Sequence, residues 1–525
     1  MPQLRDSSSE RLRDEGEVCP GYNSFDRICG LETEYGLAAT GTRRHCEASE
    51  AAMAMFRPVV MKARSTNTYL ENGARLYLDV GSHPEYATAE ARDPMDALKQ
   101  DLAGEAIMRN LASSAQQELR TSYGAGTTVH VFKNNADSSG HSFGCHENYL
   151  VRRYVPLSAI KSQLLPFLIT RQLFTGAGCV TSDGFEITQR ARFVEDGVSS
   201  ATTRVRPMVN TRDEPHADPN EFRRLHVIIG DSNRSQWATF MKLATTHLVL
   251  CVIEEAARTG KRSGLEDCAL NNPGAANRAL SADLTLHAAD MDPTDADAFL
   301  SGIDRFDNAT HPTHHSGSEI HDVNHHTTGR KITALEIQYR YWSVASRFVN
   351  THRQAMTQSL PHSDCDEVLA DWKMTLDALQ SGDLSFLRSK VDWIAKYELL
   401  SELRNRGSDI SYARLRQLDM DYHDISAGVT YPSLCRHGVI HTLVSADAVR
   451  SSVQTPPNDT RAALRGAFIT AANACGGEYA CDWTDLKTSR PQRLEAQLID
   501  PFSTEPPADY QRLINSLHVR PSHRS

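Results

Sequence analysis

Asn72 to Glu90 reads NGARLYLDVGSHPEYATAE, and its first half alternates in character. Successive side chains of a strand point to opposite faces, so Arg75, Tyr77 and Asp79 share one face while Leu76, Leu78 and Val80 share the other. The apolar face anchors such a strand, and the polar face is left to meet a ligand. Gly30 to Gly36 (GLETEYG) follows the same logic. As a strand it places Glu32 and Glu34 on one face, where a divalent cation could neutralise them, and Leu31, Thr33 and Tyr35 on the other. Paired glutamates also occur on the plain solvent side of a strand, and that reading stays open for this stretch taken alone. It is harder to sustain for an Arg, Tyr, Asp face followed within six residues by Glu85.

Outward from these strands, Ala52, Met55, Phe56 and Val59 are spaced for a helical face, and Asp96 to Glu118 has a helix pattern. Thr127 to Lys133 and Leu225 to Gly230 read as strands. Leu157 to Phe174 looks helical apart from Pro166, Trp237 to Ala257 reads as a buried helix, and helical pattern returns at Ile332 to Val349 and at Leu369 to Leu403 with a break near Gly382. Elements alternate without the regular beat of βαβ units, which predicts a mixed sheet with helices on one side. The first 25 residues read as a tail, 26–450 as the main domain, 451–510 as a small C-terminal domain, and 511–525 as a second tail. A break in composition falls at 290–329, with six Asp between 290 and 307 and then His311, His314, His315, His321, His325 and His326. Its spacing includes no HExxH, so it is expected to be an exposed insertion, with a metal site as the alternative.

Of 525 residues, 40% are hydrophobic and 23% charged, while Gly and Pro together make 52, which excludes collagen-like and wholly disordered chains. The 56 Lys and Arg against 66 Asp and Glu give a net charge of -10, which argues against global attraction to nucleic acid or an anionic membrane. Met1 to Gly21 is polar and mixes acids with bases, unlike a signal peptide, and the eleven Cys form no repeated CxxC pair. They read as reduced thiols of a cytoplasmic protein. The most apolar run, Leu243 to Ile253, is too short for a membrane span.

The phosphate loops of common nucleotide-binding folds are missing: there is no GxxxxGK[ST], and Gly176-Ala177-Gly178 lacks the third glycine of GxGxxG. Phosphate would have to be held by metal ions and arginines. Further polar groups are Lys133-Asn134-Asn135, His146-Glu147-Asn148, Asn210 to His216 and His226 to Asp231. His226 reads either as a hydrogen-bonded core histidine or as a metal or phosphate contact. Hard carboxylate ligands suit Mg²⁺, whose natural companion is a polyphosphate such as ATP. Together they can turn a carboxylate into an acyl phosphate that an amine attacks, with a carboxylate nearby as base. Asp79, beside Arg75 and ahead of Glu85, is the best placed base.

At these motifs the chain resembles the Pup ligase (proteasome accessory factor A) family. The matching stretches are GLETEYG (30–36), NGARLYLDVGSHPEYATAE (72–90), FKNNADSSGHSFGCHENYL (132–150), NTRDEPHAD (210–218), RRLHVIIGDSN (223–233), TRAALRG (460–466) and Asp482-Trp483. The resemblance implies an α+β fold like that of glutamine synthetase: a curved, mainly antiparallel sheet with packed helices, plus a small C-terminal domain. It implies Glu32, Tyr77 and Glu85 as magnesium contacts, Asp79 as proton acceptor, and Arg75, Thr88 and Trp483 as ATP contacts. An ordinary phenol pKa near 10 points Tyr77 towards a backbone or indirect role. The implied reaction joins the C-terminal Glu of Pup, a prokaryotic ubiquitin-like protein, to lysines of many target proteins, marking them for a bacterial proteasome. The sister deamidase and depupylase usually carries a long loop between the first glutamate motif and the NGARLY motif. Here Glu32 and Arg75 are only 43 positions apart, which favours the ligase. A ligase of small glutamate-like molecules is the other alternative.

Overall fold

The computed structural model describes residues 24–79, 81–137, 140–199, 206–301, 330–406, 410–490 and 492–518. Its centre is a sheet that forms where the alternating sequences predict strands. β1 (Cys29–Glu34) buries every second residue, with Leu31 and Thr33 inward and Glu32 and Glu34 half-buried on the open face. β4 (Arg75–Leu78) and β5 (Pro84–Ala87) form an antiparallel pair, and β5 lies beside β1. β3 (Asn67–Tyr69) closes that edge of the sheet. On the other side of β1 come β7 (Cys145–Arg152), β10 (Phe222–Val227), β9 (Arg206–Asn210) and β8 (Val194–Ser199). The order is β8-β9-β10-β7-β1-β5-β4-β3, and every pairing is antiparallel except β8 with β9.

One face of this sheet is covered by helices. Leu31, Tyr149, Leu225 and Val227 pack into a large apolar core with the helix Gln236–Thr259, which is buried along most of its length. The helices Ala334–Thr351 and Cys365–Ser381 complete that layer, and Gly382 ends the second in a left-handed conformation. The run from Leu157 to Thr175 is helical throughout but not uniform. Ile160–Leu164 is a π turn, and a new α segment, Leu165–Thr170, begins with Pro166 in its first turn. A proline has no N–H to give the ladder, and a π bulge is one way to absorb the lost bond.

A second core joins β2 (Gly36–Thr40) and β6 (Thr128–Phe132) to the helices α1 (Ala48–Ala63) and α2 (Pro94–Tyr123) through Tyr35, Met55, Phe56, Tyr86 and Val131. The chain ends in a small unit. The helix Ala462–Cys475, a meander of Tyr479–Cys481, Asp485–Thr488 and Leu494–Gln497, and the helix Ala508–His518 share an apolar cluster with Tyr69 of β3. The structure is thus α+β, as the sequence predicts.

Several boundaries differ from expectation. Phe25 is already buried and packs edge-on against Phe348 at 5.3 Å, so the fold starts inside the expected tail. Met291 and Phe299 are fully buried and the Met291 N–H donates to Ile332 O at 2.9 Å, so the stretch expected to be exposed is core-bound up to that point. Residues 302–329, with the histidine tract, lie outside the described residues, as do 1–23 and 519–525. The second tail, expected from 511, is helical through His518 because Leu513 and Leu517 need cover. The expected strand Leu225 to Gly230 is displaced to Phe222–Val227. Among the described residues, no helix is long and apolar enough to cross a membrane.

Candidate active site

The open face of the sheet follows from the strand registers. Tyr77 pairs with Glu85, and Glu85 with Glu34. In the next row Arg75 pairs with Ala87, Ala87 with Glu32, and Glu32 with His146. One row further, Gly30 pairs with Asn148, Asn148 with His226, and His226 with Asn210. Paired residues of a sheet share a face, so three glutamates, two histidines and a tyrosine converge there. Glu147, between His146 and Asn148, points the other way and is neutralised by fully buried Arg171.

The contacts are specific. Glu32 Oε1 accepts from Asn148 Nδ2 at 3.1 Å, its Oε2 lies 3.3 Å from His146 Nδ1 and 3.6 Å from His226 Nε2, and Arg224 Nη1 is 3.6 Å from Oε1. The Tyr77 hydroxyl donates a short hydrogen bond to Glu85 Oε1. Two groups have ligand atoms within 4.8 Å of one another: Glu32 with His146 and His226, and Glu34 with Glu85 and His146.

Electrostatics separates these carboxyls. Burial, and then the charges of Glu32 and Glu34, push Glu85 up to about 9, against the pull of the Tyr77 hydrogen bond. Burial also works against the Glu32 charge, but the His146 hydrogen bond and the positive charge around it, of which Arg224 is the permanent part, hold Glu32 well below the usual carboxylate range. Burial, then the neighbouring Glu85 and Glu32, drive the Tyr77 phenol far upward, so it stays a donor. Burial and His146 bring His226 down to about 3, which keeps it neutral. A site with three facing carboxyls, one too crowded to ionise, is built for added positive charge. The buried Asn148 Oδ1 and His226 Nε2 have no hydrogen-bond partner among the described residues. Carboxylate and amide oxygens of this kind fit a hard divalent cation.

Along β1 the face opens into a cleft. Glu32, Asn148 and Arg224 line one part of it, and Thr88, His216 and Trp483 another. Thr88 is held by two bonds to Leu31: its Oγ1 accepts from the Leu31 N–H at 3.0 Å and its N–H donates to Leu31 O at 2.9 Å. Trp483 comes from the C-terminal unit, with Tyr69 edge-on at 5.2 Å, His216 tilted at 6.3 Å, and the Arg465 guanidinium 4.9 Å above its ring. Arg465 also donates to Trp483 O and Gly73 O, and both it and Arg461 clasp buried Glu90.

The structure therefore brings together Glu32, Glu85 and Tyr77 on the sheet face, and Thr88 and Trp483 in the cleft. Asp79 stands just beyond β4, half-buried, in a turn closed by its N–H to His83 O at 2.9 Å. Arg75 lies outside the cleft lining: its Nε donates to Asn67 Oδ1 at 2.9 Å and its guanidinium covers the Tyr77 ring at 4.3 Å. Sequence reasoning singled out neither Arg224 nor Arg461, and it noted His146 and His216 among polar groups without giving either a role. Read with period 2, CHENYLVR would have put His146 and Asn148 on one face, but nothing local tells which strand they adjoin.

A carboxylate-rich sheet face thus leads into an aromatic-walled cleft on this α+β scaffold. The family model described as "Pup-ligase protein" matches residues 27–298 and 308–487. The chain belongs to the Pup-ligase family. It is 53% identical over 519 residues to the "Pup–protein ligase" of Bifidobacterium longum (strain DJO10A), covering 99% of this chain and 100% of that one. The protein of the same name from Bifidobacterium adolescentis is also 53% identical, over 98% of this chain and all of its own length. Among solved structures, the complex between the prokaryotic ubiquitin-like protein Pup and its ligase PafA superposes with a TM-score of 0.78 at 35% identity, over 94% of this chain and 91% of that one. The Pup ligase PafA in complex with ADP gives 0.72 at 35% identity, over 92% and 96%.

Proposed function

We infer that this chain is an ATP-dependent Pup–protein ligase, which joins the C-terminal Glu of Pup to lysines of other proteins through an isopeptide bond. The observation that carries this reading is the full-length kinship with ligases of that name, at 53% identity. The stretch between Glu32 and Arg75 is taken up by β2, α1 and β3, which leaves no room for the long loop expected of the deamidase.

The chemistry runs in two steps. The γ-phosphoryl group of ATP passes to the γ-carboxylate of the Pup glutamate, giving ADP and an acyl phosphate. The lysine amine then attacks the acyl carbon, phosphate leaves, and the nitrogen gives up a proton to Asp79. Trp483 and Thr88 hold the nucleoside end of the cleft. Arg75 reaches the phosphates only after leaving Asn67. Glu32 and Glu85 are the carboxylates that would hold Mg²⁺, with Tyr77 orienting Glu85 through its hydroxyl; the ion would balance the charge of the transferring phosphoryl group. Such an enzyme works in the cytoplasm, upstream of a proteasome.

Asp79→Asn keeps the size of the side chain and removes the base. Conjugation of Pup to a lysine-bearing protein, followed on a gel, should fall by about 10² to 10⁴ while ADP still binds. Conjugation at the parent rate would remove Asp79 from the role.

A further inference from the structure

Besides Arg465, which is bound to Glu90, Gly73 O and Trp483 O, three arginines stand near the proposed nucleotide path, and two of them are already engaged. Arg461 directs its Nε to Glu90 at 2.8 Å and its Nη1 to His216 O at 2.6 Å and Leu498 O at 2.8 Å. Arg75 is outside the cleft lining and tied to Asn67 and the Tyr77 ring. Arg224 differs from both. It lines the cleft beside Glu32 and Asn148, and its side chain is only 17% exposed. Its nearest carboxylate oxygens, on Glu32 and Glu214, are 3.6 and 3.9 Å away, too far for hydrogen bonds. Its buried Nε has no partner among the described residues.

A guanidinium offers five N–H donors in a planar fork, and leaving such donors buried and unmatched is costly. Glu32 does not satisfy them: at 3.6 Å it makes no hydrogen bond to Arg224, and its oxygens are turned to Asn148 and His146. The missing partner is therefore an oxygen-rich anion entering from the cleft. The Arg fork matches phosphate oxygens two at a time, where a lysine would offer only a point charge. Placed between the aromatic wall and the carboxylate cluster, the group sits where a nucleotide's phosphates pass from Trp483 towards the Glu32 side. We propose that Arg224 grips the phosphate chain of the nucleotide, a role rooted in the cleft's reading as the nucleotide site.

The test compares two ligands that differ only in phosphate. The full chain and its Arg224→Gln variant are titrated with ADP plus Mg²⁺ and with adenosine, the latter by competition against a fluorescent ADP. ADP affinity should fall by about 10- to 100-fold in the variant while adenosine stays within about twofold. Arg224→Lys, which keeps charge without the fork and serves if the Gln variant folds poorly, should lose ADP affinity by an intermediate factor. Unchanged ADP binding in either folded variant overturns the proposal. So does an equal loss for ADP and adenosine, which would mark general damage to the cleft. Trp483→Ala separates the two levels: it should weaken both ligands. If it weakens neither, the cleft is not the nucleotide site, and the Arg224 proposal falls with that reading.

Discussion

Glu34 and His146 face each other across a gap that exists only because residue 144 has no side chain. A Cβ on Gly144 would lie 2.6 Å from Glu34 Oε1 and collide with His146 Nε2. The backbone cannot retreat easily, because Gly144 O accepts the Glu34 N–H at 3.1 Å. The added methyl must then displace the Glu34 and His146 side chains and leave the core untouched. Gly144→Ala is accordingly expected to fold with a near-parent melting temperature. Its midpoint in a Mg²⁺ titration of conjugation should rise by about 10- to 100-fold, the range seen when metal ligands are mis-oriented. A parent-like midpoint would show that Glu34 and His146 do not act together on a cation. The same crowding explains the opposite behaviour of two neighbouring glutamates. Glu32 has His146 and Arg224 beside it and ionises readily, whereas Glu85 is buried against the charges of Glu32 and Glu34 and resists in spite of the Tyr77 hydrogen bond.

At the scale of elements, the turn from β4 to β5 decides where Asp79 sits. Gly81 and Ser82 are both left-handed there, with φ of 88° and 64°, and Ser82 adopts that region against its steric preference. His83 pins the turn: its Nδ1 lies 3.2 Å from Tyr35 O, and its ring stacks on Phe143 at 4.8 Å. If Asp79 has its proposed role, His83→Ala, which removes both contacts, should cost about tenfold in conjugation rate with ADP affinity unchanged, since a misplaced base harms proton transfer before it harms binding. An unchanged rate would mean that the turn holds Asp79 without help. β1 and β4 were legible in the sequence because each buries one clean apolar face. β7 was not, although it is central, because its cleft side carries His146 and Asn148 and its core side includes the charge of Glu147, balanced by Arg171 from a distant helical run. Alternation of hydrophobicity fades where a strand serves a site. The core role of Met291 and Phe299 was hidden for a related reason: two apolar residues among many aspartates carry too little pattern to outweigh composition.

Across the whole molecule, the C-terminal unit is tied to the sheet by one buried carboxylate. Glu90 accepts from Arg461 Nε at 2.8 Å and from Arg465 Nη1 at 3.0 Å, while Arg465 Nε reaches Gly73 O at 3.1 Å. The sequence suggested a C-terminal unit, and the family resemblance implied Trp483 as an ATP contact, but a link spanning 371 positions leaves no local trace. Burial alone would raise the Glu90 pKa; Arg465 and Arg461 outweigh it and bring the group down to about 2. The sign follows from linkage. A carboxyl ionised more easily in the folded than in the unfolded state, where it titrates near 4.5, stabilises the fold fully above that pH. The contribution, about 3 kcal/mol from a shift of this size, is lost as pH falls from about 4.5 to about 2. Glu90→Gln lacks that titration and leaves two buried guanidiniums without their anion, a loss of roughly 3 to 5 kcal/mol at neutral pH. Urea unfolding followed from pH 7 to pH 2 should therefore give curves for parent and variant that are well separated at neutral pH and converge in acid, since other carboxylates titrate alike in both. Because Trp483 rides on the same unit, ADP affinity at neutral pH should also drop in the variant. Parallel stability curves with a constant gap down to pH 2 would show that Glu90 is not the charge that docks the C-terminal unit.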